Sequence, residues 1–390
     1  MQRSLLARIM EFVVLAAVLA FFGFVGMFLV AVTGGQSFYV ALTAVVIVAT
    51  IVFIAVCMFA VSVRKQVLYR SFFGFLVLCG LTVAGYEGYQ WYENSIPVVS
   101  EQDVDLSEYQ PFREPTKAKK LEEPASLTLQ GDLPRLDGAT ALYPLYAAFA
   151  QAVYPKKEYN PYDSEVMSST TPKAYERLID GEADIIFAAG PSQQQLEEAK
   201  QKGVELKLTP IGREAFVFFV NAANPVKGLT TQQIRDIYAG KITDWSEVGG
   251  APGKIRAFQR PKNSGSQTML EKVMGNVELM PAPEEDIEAG MGGIIRKTAD
   301  YKNYKQAIGY SFLYFATEMV QNGDIRLLEV DGVKPDKSTI RDGTYPLAAE
   351  FYAVTAGSAN PNVSRFIDWI LSPQGQSLVE RTGYTPIGGR

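Results

Sequence analysis

The chain has 390 residues, a formal net charge of −5, no histidine and two cysteines, Cys57 and Cys79. Without histidine it lacks the commonest general base near neutral pH and the commonest zinc ligand, so a Ser-His-Asp or Cys-His hydrolase is excluded. Both cysteines lie in an apolar N-terminal region, so the remainder of the chain uses no disulfide bonds.

Residues 1–92 differ in composition from the rest of the chain. They hold five basic and two acidic residues, a net charge of +3, so the remainder carries −8. A bilayer core requires about 20 apolar residues per helix. Three apolar segments of suitable length predict transmembrane helices at about 12–32, 38–63 and 68–89. The first segment is too long for a cleaved signal peptide.

The basic residues around these segments predict their orientation. Arg3 and Arg8 precede the first span, the segment Arg64–Arg70 joins the second and third, and acidic residues follow the third. Because cytoplasmic loops carry the excess of Lys and Arg, residues after 92 are predicted outside the cytoplasm. Charged residues lie only near the span ends, which favours an anchor over a channel. We therefore expect a multi-pass protein of the cell membrane.

The remainder of the chain divides into a linker and a folded domain. Residues 93–125 mix prolines and charges without a sustained apolar period, which predicts a linker. From 126 to 390, strand-like and helix-like runs alternate, which predicts an α/β fold. Strand-like runs include 183–188, 215–220 and 349–355. The last two are far apart in sequence and could cross between two lobes.

Several helix boundaries in this domain carry clear signals. Thr171 is predicted as the N-cap of a helix, with Pro172 at its first position. Thr230 with Gln233 predicts a capping box. The C-terminal segment predicts an amphipathic helix that breaks near Pro373.

A resemblance to a known family rests on four segments that occur in order. They are "LDGATALYPLYAAFAQAVY" (136–154), "GLTTQQIRDIYAGKITDWSEVGG" (228–250), "RPKNSGS" (260–266), and the pair "AIGYSFLYF" and "GYTPI". The domain resembles the substrate-binding proteins of phosphate ABC transporters over about residues 130–388. The resemblance implies a type 2 periplasmic-binding-protein fold, with two α/β lobes joined by two crossing strands. The three membrane spans are not part of the usual family pattern.

The resemblance also implies a set of ligand-binding residues. In the family, hydroxyls, backbone N–H groups, an arginine and an aspartate hold phosphate between the lobes. The matching positions here are Thr140, Ala141, Ser168, Ser169, Arg260, Ser264, Gly265 and Ser266.

Physical chemistry supports an anion site at these positions. Thr140, Thr171 and Ser264 each lie where a helix is predicted to begin, and helix N-termini present unpaired N–H groups and a positive dipole end. Converging helix starts favour an oxyanion, and Arg260 would add a bidentate donor. A single Ser or Thr before a helix is more often only a helix cap, and Arg260 alone would usually be a surface ion-pair residue. The combination of these residues in the order of the family favours the anion site.

One position departs from the family pattern. The family's aspartate that accepts the phosphate proton aligns with Gly190 in "ADIIFAAGPS". A carboxylate acceptor would repel fully ionised sulfate, so its loss puts phosphate selectivity in question. Asp137 is a possible replacement, although it could equally face solvent and favour a turn, and Asp163 and Glu165 are the next candidates.

The sequence thus predicts a membrane-anchored, extracytoplasmic binding protein for phosphate or a related oxyanion. It would serve ABC-type uptake, with a permease as partner, or sensing. The alternative is a degenerate binding domain that acts as a sensor or assembly module without phosphate selectivity. No nucleophile–base pair supports an enzyme, and no cofactor, metal or nucleic-acid partner is expected.

Overall fold

The computed structural model describes residues 5–32, 37–60, 64–96, 98–99, 104–282, 301–319 and 324–388. The chain divides into two compact units, Met1–Ile96 and Pro97–Arg390.

Long apolar helices make up the described part of the first unit. They are α1 (Leu5–Val32), α2 (Ser37–Phe59) and α3 (Lys65–Ser95). Within the described ranges, three helical segments are long and apolar enough to cross a membrane: Leu5–Leu29, Phe38–Phe59 and Lys65–Glu93. A helix satisfies its own backbone hydrogen bonds, which is what a bilayer interior requires.

The helix ends differ from the predicted spans. α1 begins before residue 12, α2 ends before residue 63, and α3 continues past residue 89. Hydropathy marks only the apolar part of a helix, whereas backbone hydrogen bonding continues through charged residues such as Arg8 and Glu11. Residues 61–63 of the second predicted span lie outside the described residues.

Close contacts pack these helices together. A Cβ atom at Gly23 of α1 would lie 2.1 Å from Cδ1 of Ile47 in α2, and small residues of this kind let transmembrane helices approach closely. The rings of Phe53 in α2 and Phe72 in α3 stack with centroids 4.2 Å apart.

Short and long strands form the framework of the second unit. They are β1 (Val98–Val99), β2 (Leu136–Gly138), β3 (Ile185–Ala188), β4 (Lys207–Asn221), β5 (Gly228–Leu229), β6 (Arg256–Ala257), β7 (Tyr301–Lys302), β8 (Ala307–Phe312), β9 (Ile325–Leu327), β10 (Glu329–Val330) and β11 (Ala348–Thr355). The main sheet has the order β2-β3-β11-β4-β8-β6, with β9 also paired to β4. β2 is parallel to β3 and β6 to β8, whereas the central pairs are antiparallel.

Two strands, β4 and β11, pass between two halves of this sheet. The first part of β4 pairs with β11, and its second part, from Phe216 onwards, pairs with β8. Leu347, just before β11, is buried in the same apolar cluster as Phe216, whereas Phe351 is buried in a second cluster with Tyr146. Two α/β lobes joined by two crossing strands are therefore present, which confirms the predicted architecture. We call the half with β2 and β3 the first lobe, and the half with β8 and β6 the second.

Helices cover both lobes. They are α4 (Tyr143–Val153), α5 (Thr171–Ile179), α6 (Gln193–Gln201), α7 (Thr231–Tyr238), α8 (Gly265–Met274), α9 (Lys337–Arg341), α10 (Asn362–Leu371) and α11 (Pro373–Thr382). Thr230 and Gln233 form the predicted capping box of α7. The predicted break at Pro373 separates α10 from α11, with Ser372 capping the second helix. α5 includes Thr171, so its N-cap is Thr170, one residue earlier than predicted.

The segment before the first lobe differs from the predicted linker. Leu106 and Tyr109 lie in a 3-10 turn and are buried in the first lobe's core. The Lys117 N–H donates to the Glu108 carbonyl at 2.7 Å, which folds the segment back on itself. Farther upstream, β1 pairs with β7, which leads into β8 of the second lobe. The chain entering the domain is thus attached to both lobes. Two apolar residues among prolines and charges were too weak a signal to predict this packing.

Candidate functional site

A cleft with a volume of about 1180 Å³ lies between the lobes, at the crossing strands. All eight ligand-binding residues implied by the family resemblance line it: Thr140, Ala141, Ser168, Ser169, Arg260, Ser264, Gly265 and Ser266. Asp137 is not among the lining residues. Whether these residues bind a ligand remains a proposal, which their geometry supports as follows.

The loop after β2 contributes the first donors. Gly138 packs against β3 so closely that a Cβ atom would lie 2.3 Å from the carbonyl oxygen of Phe187, so only glycine fits there. Thr140 then begins a 3-10 turn that leads into α4. The side-chain hydroxyl of Tyr384 donates to the carbonyl of Ala141, which fixes this turn from the C-terminal segment.

The loop before α5 contributes the second set. Ser168 Oγ donates to the Gly138 carbonyl at 3.1 Å, which joins the two loops. Thr170 has φ 75° and ψ 159°, a conformation that is strained for any residue except glycine. Such strain persists where the surroundings enforce it, and it concentrates at binding and catalytic sites.

The helix starts that the first lobe contributes to this cleft lack side-chain caps. Among the described residues, no side chain caps the turn at Thr140 or α5, whereas α6 and α7 both have complete capping boxes. Uncapped first-turn N–H groups lack an intrahelical partner. The first lobe therefore presents unsatisfied backbone donors and the positive ends of helix dipoles to the cleft.

The second lobe supplies the start of α8 and the arginine. Ser264 caps α8 by accepting a hydrogen bond from the Gln267 N–H at 3.3 Å, as predicted. The backbone N–H of Arg260 is held by Tyr310 Oη at 2.8 Å and Gln267 Oε1 at 3.0 Å. Ser266 is 4 % exposed, and within the parts of the chain that the structure describes its Oγ has no hydrogen-bond partner. Burying a polar atom without a hydrogen-bond partner costs free energy. The hydroxyl of Ser266 is therefore suited to form a hydrogen bond with a ligand in the cleft.

The two lobes meet at Gly265. A Cβ atom there would lie 3.4 Å from Thr171 Oγ1 and 3.6 Å from Ala189 Cβ. The absence of a side chain lets the start of α8 approach the start of α5. Helix starts from opposite lobes are thereby brought together, as the sequence predicts.

Asp137 does not have the predicted role of ligand acceptor. It is fully buried, and its oxygens accept three hydrogen bonds of 2.7 Å, from the Gly138 N–H and from the N–H and hydroxyl of Ser169. Arg177 Nε lies 3.0 Å from Oδ2 and balances the charge. Burial raises the pKa of Asp137, and these hydrogen bonds and Arg177 oppose that shift. The carboxylate holds the Ser169 loop in place and does not line the cleft.

The next two candidates for the acceptor also fail to reach the cleft. Neither Asp163 nor Glu165 lines it, and Glu165 pairs with Lys157 at 2.6 Å.

Gly190 faces a cation in a neighbouring cavity. It lines a smaller cavity of about 310 Å³ that shares Ala189 and Gly265 with the main cleft. A Cβ atom at Gly190 would lie 3.0 Å from Lys272 Nζ. Burial lowers the pKa of Lys272. A lysine ammonium therefore occupies the space that a side chain at position 190 would enter.

Sequence reasoning missed one residue of the cleft, Glu214. It lies on crossing strand β4, is 5 % exposed and lines the cleft. Its Oε1 accepts a hydrogen bond of 2.6 Å from the Tyr314 N–H. Burial raises the pKa of Glu214 to about 8, and the Tyr314 hydrogen bond opposes that shift. The only sequence feature that could have indicated Glu214 is that this acidic residue directly precedes the apolar run "AFVFFV".

Two lobes, two crossing strands and an interlobe cleft with uncapped helix starts define the class of periplasmic-binding-protein-like domains. Consistent with this, the family model described as a PBP superfamily domain matches residues 124–374. The chain belongs to that superfamily.

Several similar proteins are named as phosphate-binding proteins. The phosphate-binding protein PstS of Bacillus subtilis is 29 % identical over 258 residues, which are 65 % of this chain and 80 % of the relative. Protein SphX of Synechococcus elongatus is 24 % identical over 64 % of this chain and 76 % of its own length. A solved structure from Clostridium perfringens, described as a phosphate ABC transporter substrate-binding protein with bound phosphate, is 25 % identical. It aligns with TM-score 0.50 over 65 % of this chain and 98 % of its own. The resemblance to this family and the prediction of a binding protein rather than an enzyme are confirmed.

Proposed function

We propose that the second unit binds inorganic phosphate or a related oxyanion in the interlobe cleft. The observation that carries this proposal is the meeting of the α5 and α8 starts at Gly265. The buried hydroxyl of Ser266 lies beside it and has no hydrogen-bond partner among the described residues. The names of the relatives support phosphate as the first anion to test.

The anion would be held by local donors. Uncapped N–H groups at Thr140 and Thr171 would complement its charge from the first lobe, and the α8 start would do so from the second. The side chain of Arg260 would add charge-assisted hydrogen bonds. Fixed donors act at short range, so the domain's net negative charge does not prevent binding, because surface charges beyond a Debye length are screened.

The three apolar helices support a membrane anchor. We propose that residues 1–92 anchor the chain in the cell membrane, with the N-terminus in the cytoplasm and the binding domain outside, as the basic residues at 64–70 favour. In this position the domain would deliver its anion to an ABC permease or report its concentration. The boundaries 1–92 and 126–390 belong to the same proposal, with residues 104–125 added to the domain because they pack on it.

Titration calorimetry of the full chain in detergent tests the proposal. Phosphate, sulfate and a non-tetrahedral anion such as nitrate would be titrated under the same conditions. Saturable binding of a tetrahedral oxyanion at one site per chain is expected. Absence of binding by every anion would contradict it and would support the alternative, a degenerate module used for sensing or assembly.

A further inference from the structure

Glu214 places a carboxyl group in the interlobe cleft, where the proposed ligand-binding residues are hydrogen-bond donors. Glu214 is buried on β4 and lines the same cleft as Arg260 and Ser266. An ionised carboxylate in that position would repel a bound anion and would itself be poorly solvated. The residue therefore requires an explanation in a site that is otherwise built from donors.

Within the part of the chain that the structure describes, no positively charged side chain pairs with Glu214. The Tyr314 N–H binds Oε1, and the ring of Tyr314 stacks on that of Tyr384 with centroids 4.6 Å apart. Tyr384 in turn binds the Ala141 carbonyl at the first lobe's helix start. Glu214 is thus connected through two tyrosines to the proposed anion site.

The charged neighbours on the adjoining strands do not neutralise it. Within the described ranges, no Lys or Arg lies within ion-pair distance of Glu214. Arg213 precedes it on the same strand, and Ala349 of β11 lies directly opposite it, followed by the exposed Glu350. The titratable groups that face it are the hydroxyls of Tyr314 and Tyr384, whose pKa values burial raises. A neutral carboxylic acid is the form of Glu214 that suits this environment.

We propose that Glu214 is a specificity-determining residue that must be protonated for the cleft to hold its anion. The neutral carboxylic acid can donate a hydrogen bond and carries no charge. A cleft with Glu214 in this form can therefore bind fully ionised tetrahedral oxyanions. As the carboxylate, Glu214 repels them. This inference rests on the proposed function and adds a requirement for one protein-bound proton.

The direction of the pH dependence follows. Glu214 is neutral below its pKa of about 8 and ionised above it. Anion affinity is therefore expected to be constant below that pH and to fall by a factor of ten per pH unit above it. Between pH 7 and pH 9 the loss is about tenfold. Because the chain has no histidine, few other groups titrate in this range.

The test is calorimetry of the full chain with inorganic phosphate at pH 6.5, 7, 8 and 9, for wild type and Glu214→Gln. Glutamine keeps a donor and cannot ionise. For each protein, the affinity at each pH is divided by its affinity at pH 7, and these ratios are compared between wild type and variant. The titration of phosphate affects both proteins equally and cancels in this comparison. The expected result is a loss of about tenfold by pH 9 in wild type relative to the variant.

Two controls keep the proposal falsifiable. The first control is Lys272→Met, because burial lowers the pKa of Lys272 towards the pH range of the experiment. This variant should show the same pH dependence of phosphate affinity as wild type. If Glu214→Gln does not fold, wild type is titrated at pH 8.5 in buffers of different ionisation enthalpy, with sulfate as a non-titrating probe beside phosphate. Binding should then take up a proton.

The outcomes separate this inference from the proposed function. Phosphate binding with the same pH profile in wild type and Glu214→Gln, or binding without proton uptake, would overturn the role of Glu214 and leave the binding site intact. Absence of phosphate binding at every pH would overturn both.

Discussion

The hydroxyl of Ser192, at the start of α6 in the first lobe, donates a hydrogen bond of 2.9 Å to Asn263 Oδ1 in the second lobe. Asn263 Nδ2 returns a hydrogen bond of 3.0 Å to Gln194 Oε1. Asn263 has φ 64°, a left-handed conformation that asparagine tolerates better than most residues. These contacts join the two lobes beside Ser264.

Asn263→Gly should therefore weaken anion binding by about tenfold, since it removes interlobe hydrogen bonds but permits the same backbone conformation. The loss should lie mainly in a faster dissociation rate, which stopped-flow measurements would resolve. Gln193→Ala on the exposed face of α6, where Gln193 pairs with Glu197 of the same helix, is the matched control. Unchanged dissociation in Asn263→Gly would show that these contacts do not stabilise the closed state.

Ser266→Ala should change stability and affinity in opposite directions. Without ligand, the variant loses a buried hydroxyl that has no described partner, so its unfolding free energy should be equal to wild type or about 1 kcal/mol higher. Phosphate affinity should fall by about 1–3 kcal/mol, because a hydrogen bond to a charged group is lost.

The matched control for Ser266→Ala is Ser264→Ala. Ser264 caps α8, so this variant should lose about 1 kcal/mol of stability in addition to affinity. Denaturant unfolding and calorimetry measure both quantities. An unliganded Ser266→Ala protein less stable than wild type would place the hydroxyl in a structural role.

Arg260→Ala should weaken oxyanion binding by several kcal/mol, because it removes a charge-assisted donor from a desolvated cleft. Lys262→Ala, on the same segment but exposed, should cost far less because its charge is screened by solvent. Equal effects of the two substitutions would indicate general electrostatic attraction instead of a defined site.

Asp137→Asn should destabilise the fold without changing selectivity. The substitution removes the charge that pairs with Arg177 and weakens the hydrogen bonds from Ser169, at a cost of roughly 2 kcal/mol. Neither Asp137 nor Gly190 lines the main cleft, so neither places a carboxylate acceptor there. Wild type should therefore bind phosphate and sulfate within about tenfold, a gap of roughly 1.4 kcal/mol. The same ratio should persist in the variant. A large phosphate preference that Asp137→Asn abolishes would restore Asp137 as the acceptor.

The membrane orientation can be tested by labelling. In a background without Cys57 and Cys79, an impermeant thiol reagent applied to intact cells should label Lys200→Cys and not Lys65→Cys. Lys200 is exposed on α6. Lys65 is the first residue of α3 and belongs to the basic segment 64–70, which is predicted to face the cytoplasm. The reverse pattern would place the binding domain inside the cell.

Features that depend on neighbouring residues were predictable from the sequence. The starts of α7 and α8 follow from Thr230 and Ser264, because capping is a contact between residues a few positions apart. The apolar runs 215–220 and 349–355 predicted parts of the crossing strands β4 and β11. The first half of β4, residues 207–214, has no apolar run, and the two-lobe architecture followed from the family resemblance.

Features that depend on distant contacts were not predictable. Asp137 pairs with Arg177, 40 positions away. The residues next to Asp137 in the sequence therefore could not show whether its carboxylate stabilises the fold or binds the ligand. Glu214 was hidden because its burial arises from strands and tyrosines far along the chain.

The double attachment of the entering chain limits how far the lobes can separate. β1 is held by β7 beside the second lobe, and Leu106 is held in the core of the first lobe. Seven peptide units connect Val99 to Leu106, and a fully extended chain of that length reaches roughly 25 Å. The segment is therefore a tether of fixed maximum length. If both attachments hold as the cleft opens, the length of this tether limits the widest opening of the cleft, as β4 and β11 also do. A cleft that opens farther must first detach one end of this segment.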